Sequence, residues 1–62
     1  MEHRAPLDRA AAAAYLGTSE RHIRELTSRH ELPYVKVGRL VRFLPEDLDG
    51  YLARNHQPAG EA

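Results

Sequence analysis

The stretch Leu16-Gly17-Thr18-Ser19-Glu20 limits the fold more than any other part of the chain. Gly17 is placed to close one helix as its left-handed terminal residue. Ser19 is placed to cap the next, because its hydroxyl can accept from the free N–H groups of a first turn. Two helices that stop and start this abruptly must turn sharply against each other. The flanking residues agree. Asp8 is an N-cap for a helix over Arg9–Leu16, and the run Ala10 to Ala14 has the highest helix propensity available. Ala12, Ala13 and Leu16 form its buried stripe, closed by Leu7. The second helix runs from Glu20 to about Arg29, with Glu20 in the first turn where the helix dipole favours an acid. Ile23 and Leu26 are three apart and face inward. Arg21, His22, Arg24, Glu25, Ser28 and Arg29 are left outward.

Pro33 stops helical continuation through Leu32. Tyr34–Val37 and Val41–Phe43 then read as strands, rich in β-branched and aromatic residues, with Gly38 in the turn between them. A three-residue loop, Gly38-Arg39-Leu40, puts Val35, Val37, Val41 and Phe43 on one face. Tyr34, Lys36 and Arg42 then share the other. A two-residue loop spreads the apolar residues over both faces, so the three-residue loop is the expectation. That loop puts Arg39 at its tip. A last helix begins near Pro45, a residue suited to the first helical position. Leu48, Tyr51 and Leu52 give it an inward stripe. Residues 1–6 and 55–62 read as flexible flanks around one domain over 7–54.

The chain has 62 residues and no cysteine. A domain of this size buries only about 60% of the surface its unfolded chain exposes. Its core is too small to enclose a substrate pocket of about 300 Å³ or more, so an enzyme is not expected. No thiolate is available to a metal. His3, His22, His30 and His56 show no ligand spacing on one helix face, so neither metal nor cofactor is expected. No stretch is apolar enough to span a membrane, and the N-terminus has no signal-peptide character, which points to a soluble intracellular protein.

Formal net charge is zero, but the charge is unevenly spread. Between Glu20 and Leu44 the cations Arg21, Arg24, Arg29, Lys36, Arg39 and Arg42 outnumber Glu20, Glu25 and Glu31. From Pro45 onward Glu46, Asp47, Asp49 and Glu61 face only Arg54. A basic middle and an acidic end suggest a contact face for an anion.

The order helix, turn, helix, hairpin, helix gives a mainly α fold with a small β-hairpin. A short glycine-containing turn between two helices is the helix-turn-helix signature. In that motif the second helix enters the major groove of DNA with its N-terminal residues toward the bases. Glu20, Arg21, His22, Arg24, Glu25 and Ser28 are the candidates there. Arginine pairs with guanine O6 and N7, and glutamate accepts from cytosine N4. Lys36, Arg39 and Arg42 lie on a ribbon that follows, in the layout of a wing. An arginine at its tip suits a narrow minor groove, while Lys36 and Arg42 suit phosphates.

Two stretches, "LDRAAAAAYLGTSERHIREL" and "LPYVKVGRLVRFLPEDLDGYL", resemble the excisionase-type winged helix-turn-helix domains, which are related to the DNA-binding domains of MerR-type regulators. The resemblance covers Leu7 to Leu52. It rests on the alanine pair before "YLG", the Ser-x-x-x-Ile-x-x-Leu helix, the "LP" break, "VGR…RF" and "EDL…YL". Arg9 and Thr18 depart from it at positions that are usually apolar or small aliphatic, and His22 stands where threonine is frequent. The resemblance implies a phage or integrative-element protein of the bacterial cytoplasm and nucleoid. Such a protein binds tandem sites on double-stranded DNA, bends the DNA and recruits an integrase toward excision. It implies neighbouring copies on the DNA as further partners, because one small module makes few contacts. A small MerR-like transcriptional regulator is the alternative of the same class. A protein-interaction module that never meets DNA is the alternative of another class.

Overall fold

Residues 4–57 are described by the structure, a computed structural model. The elements are α1 (Arg9–Leu16), α2 (Glu20–Ser28), β1 (Val35–Val37), β2 (Leu40–Arg42) and α3 (Pro45–Arg54). Residues 1–3 and 58–62, which belong to the two expected flanks and include His3, lie outside the described residues.

Helix boundaries follow the caps. Asp8 accepts from the Ala11 N–H at 2.8 Å, and Ser19 accepts from the His22 N–H at 3.1 Å. Gly17 adopts φ 74°, and this lets Thr18 N–H reach the Ala13 carbonyl at 2.8 Å and Gly17 N–H reach Ala14 at 3.2 Å. Those bonds satisfy carbonyls that the end of α1 would leave bare. Pro45 opens α3 at a position where a missing N–H costs nothing.

α2 ends at Ser28 with Arg29 as its C-cap, as expected, but the residue that closes it is His30 rather than Pro33. His30 takes φ 61°, while Glu31 N–H bonds the Leu26 carbonyl at 2.9 Å and His30 N–H bonds Thr27 at 3.1 Å. This is the same closing motif that Gly17 makes, built on a residue with a Cβ. His30→Gly is expected to stabilise the protein by about 0.5–1 kcal/mol: left-handed strain of about 1–2 kcal/mol is removed, and glycine's extra freedom when unfolded offsets part of it. A thermal melt that is unchanged or lower would contradict it.

The core consists of Ala12, Ala13, Ile23, Leu26, Leu32, Phe43 and Leu48, with Leu7, Leu16, Val41 and Tyr51 packed at its edge. α1 lies against both α2 and α3, and its alanines permit the close approach. Leu32 belongs to this core although it sits in a loop and shares no periodicity with its neighbours. Leu52 does not; it is 45% exposed. α3 packs mainly on α1, so its buried stripe is only wide enough for Leu48 and Tyr51.

The hairpin register also corrects the expectation. Val35 pairs with Arg42, Lys36 with Val41 and Val37 with Leu40, leaving a two-residue loop of Gly38 and Arg39. Gly38 has φ 64°, as a first loop residue of the II′ kind requires. One residue less in the loop moves each partner to the opposite face. Val37 and Leu40 therefore stand 54% and 53% exposed, and Lys36 and Arg42 lie on opposite faces of the ribbon. The face toward the core carries Val41 and Phe43. Leu7 joins that side through an isolated antiparallel bridge: its N–H and carbonyl exchange bonds of 2.8 and 2.7 Å with Phe43.

Candidate nucleic-acid interface

Ile23 and Leu26, at 0% and 1% exposure, fix which way α2 faces. With that side buried, Arg21, Arg24, Ser28 and Arg29 stand in solvent and Glu25 and His22 are half-buried. Arg21, Arg24, Glu25, Ser28 and Arg29 line a shallow depression of about 460 Å³ along the helix. Glu25 is its hub. Arg21 Nε lies 3.7 Å from Glu25 Oε2, Arg29 Nη2 4.0 Å from Oε1, and His22 Nδ1 3.9 Å from Oε1. These are long contacts between exposed groups, worth about 0–1 kcal/mol each and easily exchanged for a phosphate or a base. Arg29, expected to face outward but not among the DNA-contact candidates, joins this surface through its contact with Glu25 four residues before it.

Six cations, Arg9, Arg24, Lys36, Arg39, Arg42 and Arg54, make no ion pair among the described residues. Arg42 Nη1 donates instead to the Val41 carbonyl at 2.8 Å. Lys36 and Arg39 are exposed on the hairpin. A second cleft, of about 360 Å³, is shared by Glu20 at the start of α2, Arg39 and Arg42 of the hairpin, and Arg9 of α1. The start of α2 and the hairpin tip thus border one groove. Lys36 does not line it.

Glu46, Asp47 and Asp49, the described acidic residues of the chain's end, are used elsewhere. Glu46 and Asp47 sit in the first turn of α3, where the dipole favours them. Asp49 accepts from Tyr15 Oη at 2.5 Å and pairs with Arg4 Nη2 at 3.2 Å. Arg4 Nη1 also donates to Tyr15 Oη at 3.4 Å. Residues 4, 15 and 49 therefore tie the lead, α1 and α3 together. The Tyr15 hydrogen bond, and then the one from Arg4, hold the Asp49 carboxyl below its ordinary value. The bond to Asp49 holds the Tyr15 phenol above its own. A carboxyl depressed in the folded state adds stability above its unfolded value, about 3.9, and loses it as pH falls through the folded one. Asp49→Asn is expected to flatten the acid limb of melting temperature against pH. An acid limb identical to the parent's would count against the tie.

Among the described residues no group of histidine, aspartate and glutamate is gathered as a metal would need, and no helix is long and apolar enough to cross a membrane. Searches of curated proteins and of solved structures return no significant match. A comparison with protein families does match: residues 7–56 correspond to a helix-turn-helix domain. That span starts beside the Asp8 cap, ends just beyond α3 and takes in every element described above, and the chain accordingly belongs to the helix-turn-helix domain family, whose motif points to DNA as the partner.

Proposed function

We propose that the chain is a winged helix-turn-helix module of excisionase type, a non-enzymatic DNA-binding protein of the bacterial cytoplasm and nucleoid. Residues 7–54 are the binding unit. α2 enters the major groove, where Arg21 and Arg24 read guanine edges and Glu20 and Glu25 favour cytosine. His22 and Ser28 complete that surface. The hairpin is the wing. Arg39 enters the minor groove, and Lys36 and Arg42 hold phosphates. One observation carries this assignment: Glu20, Arg39 and Arg42 line the same cleft, so helix and ribbon can engage one duplex together. The exposed Val37 and Leu40 support the bending role, because proteins that kink DNA from the minor groove often wedge apolar side chains between base steps.

A module this small binds one site weakly. Copies on tandem sites, with an integrase as the second partner, supply the occupancy. The test is an excision reaction with integrase, run with and without this protein, alongside gel-shift titration on one site and on several. Excision that depends on the protein, with tighter binding per site on the tandem array, is the expected result. Equal affinity per site would remove the cooperative part, and integrase-independent repression from the same sites would make it a MerR-like regulator.

A further inference from the structure

We infer that Arg9 of α1, with Arg42 of the hairpin, forms a clamp for the DNA sugar-phosphate backbone between the two grooves. The inference rests on the DNA-binding role proposed above and adds a contact from the supporting helix. Arg9 Nε is shielded from solvent and has no hydrogen-bond partner among the described residues. A buried guanidinium donor left unpaired destabilises the free protein, so the position calls for an acceptor.

The acids nearby do not supply one. Asp8 and Glu20 line the same cleft, but Asp8 is engaged in capping α1 through the Ala11 N–H, and neither acid is ion-paired with Arg9. Three guanidinium groups therefore share a cleft beside the first turns of two helices. Arginine forks match phosphate oxygens, and helix N-termini reinforce the attraction.

The occupant follows from the geometry of duplex DNA. What separates a major groove from its neighbouring minor groove is the sugar-phosphate backbone. A protein with α2 in one and the hairpin in the other must lay that backbone across the cleft between them. Arg9 stands on the wall of this cleft. The unpaired donor of this half-buried side chain thus has a use in the complex.

Arg9→Met keeps the length and apolar character of the stem and removes the charge. Without DNA its melting temperature is expected to equal or exceed the parent's. Affinity for a mixed-sequence duplex and for the target duplex is expected to fall alike, by about tenfold at low salt. The slope of log affinity against log salt is expected to become shallower by about 0.9, one phosphate contact. Arg9→Lys is expected to recover most of the slope. If Arg9→Met does not fold, Arg42→Gln on the other wall carries the same expectation. Variants that fold and bind like the parent, or a loss confined to one base sequence, would overturn the clamp alone. A parent that binds no duplex at low salt would overturn the clamp and the DNA-binding role together.

Discussion

Phe43→Ala is expected to leave the protein largely unfolded at room temperature. The ring is fully buried and is the largest of the fully buried side chains, in a core that otherwise holds two alanines and four aliphatic residues. Truncating a buried phenylalanine costs about 3–5 kcal/mol, because lost burial and an unfilled cavity add together. A chain of this length has a total stability of only about 3–9 kcal/mol at about 0.05–0.15 kcal/mol per residue. Position compounds the loss. The backbone of Phe43 exchanges both ladder bonds with Leu7, and its ring meets Tyr34 at 6.5 Å, so one residue links the lead and the hairpin to the core. Phe43→Leu keeps most of the volume and is expected to cost about 1.5 kcal/mol or less. Urea and thermal melts followed by circular dichroism check both. An alanine variant that melts like the parent would show that the packing centre lies elsewhere.

Arg24→Ala is expected to have the largest effect on binding with the fold left intact. Arg24 is exposed, carries no ion pair among the described residues and lines the depression along α2. Losing a bidentate pair with guanine costs about 1–3 kcal/mol, roughly tenfold to more than a hundredfold in affinity, and relaxes the preference at one base pair. Arg21→Ala is expected to cost less. In the free protein Arg21 already has Glu25 at 3.7 Å, so part of what it gains from DNA replaces an existing contact. Glu25→Gln tests the same point from the other side. It frees Arg21 and Arg29 and removes a negative charge, so affinity for mixed sequence is expected to rise while discrimination falls. Melting of all three variants is expected to match the parent within about 0.5 kcal/mol, as for surface substitutions. Titrations on target and mixed duplexes check the set, and an Arg24→Ala variant that binds both like the parent would show that the recognition surface is misassigned.

The helices were legible because their ends are chemical. Asp8, Gly17, Ser19 and Pro45 each solve a local backbone problem at α1, α2 or α3, and local problems show in sequence. The exposed side of α2 followed from Ile23 and Leu26 for the same reason. The hairpin register was not legible. The rule that a strand buries its apolar face assumes enough core to cover it. Here Phe43 and Val41 fill what a seven-residue core can cover on that side, and Val37 and Leu40 are left out. Leu32 was hidden by lying in a loop, and the stop of α2, though not its position, by a histidine doing what glycine usually does. The cleft joining Arg9 to the hairpin is purely tertiary: residues 9, 39 and 42 share no spacing that a linear pattern could mark.

The proposed role requires the basic surface of α2 and the hairpin to hold a DNA duplex. The most direct measurement is affinity for a duplex as a function of salt. With about four phosphates neutralised, log affinity is expected to fall against log salt with a slope near −3.6. No association at low salt, or an affinity that salt leaves unchanged, would contradict it.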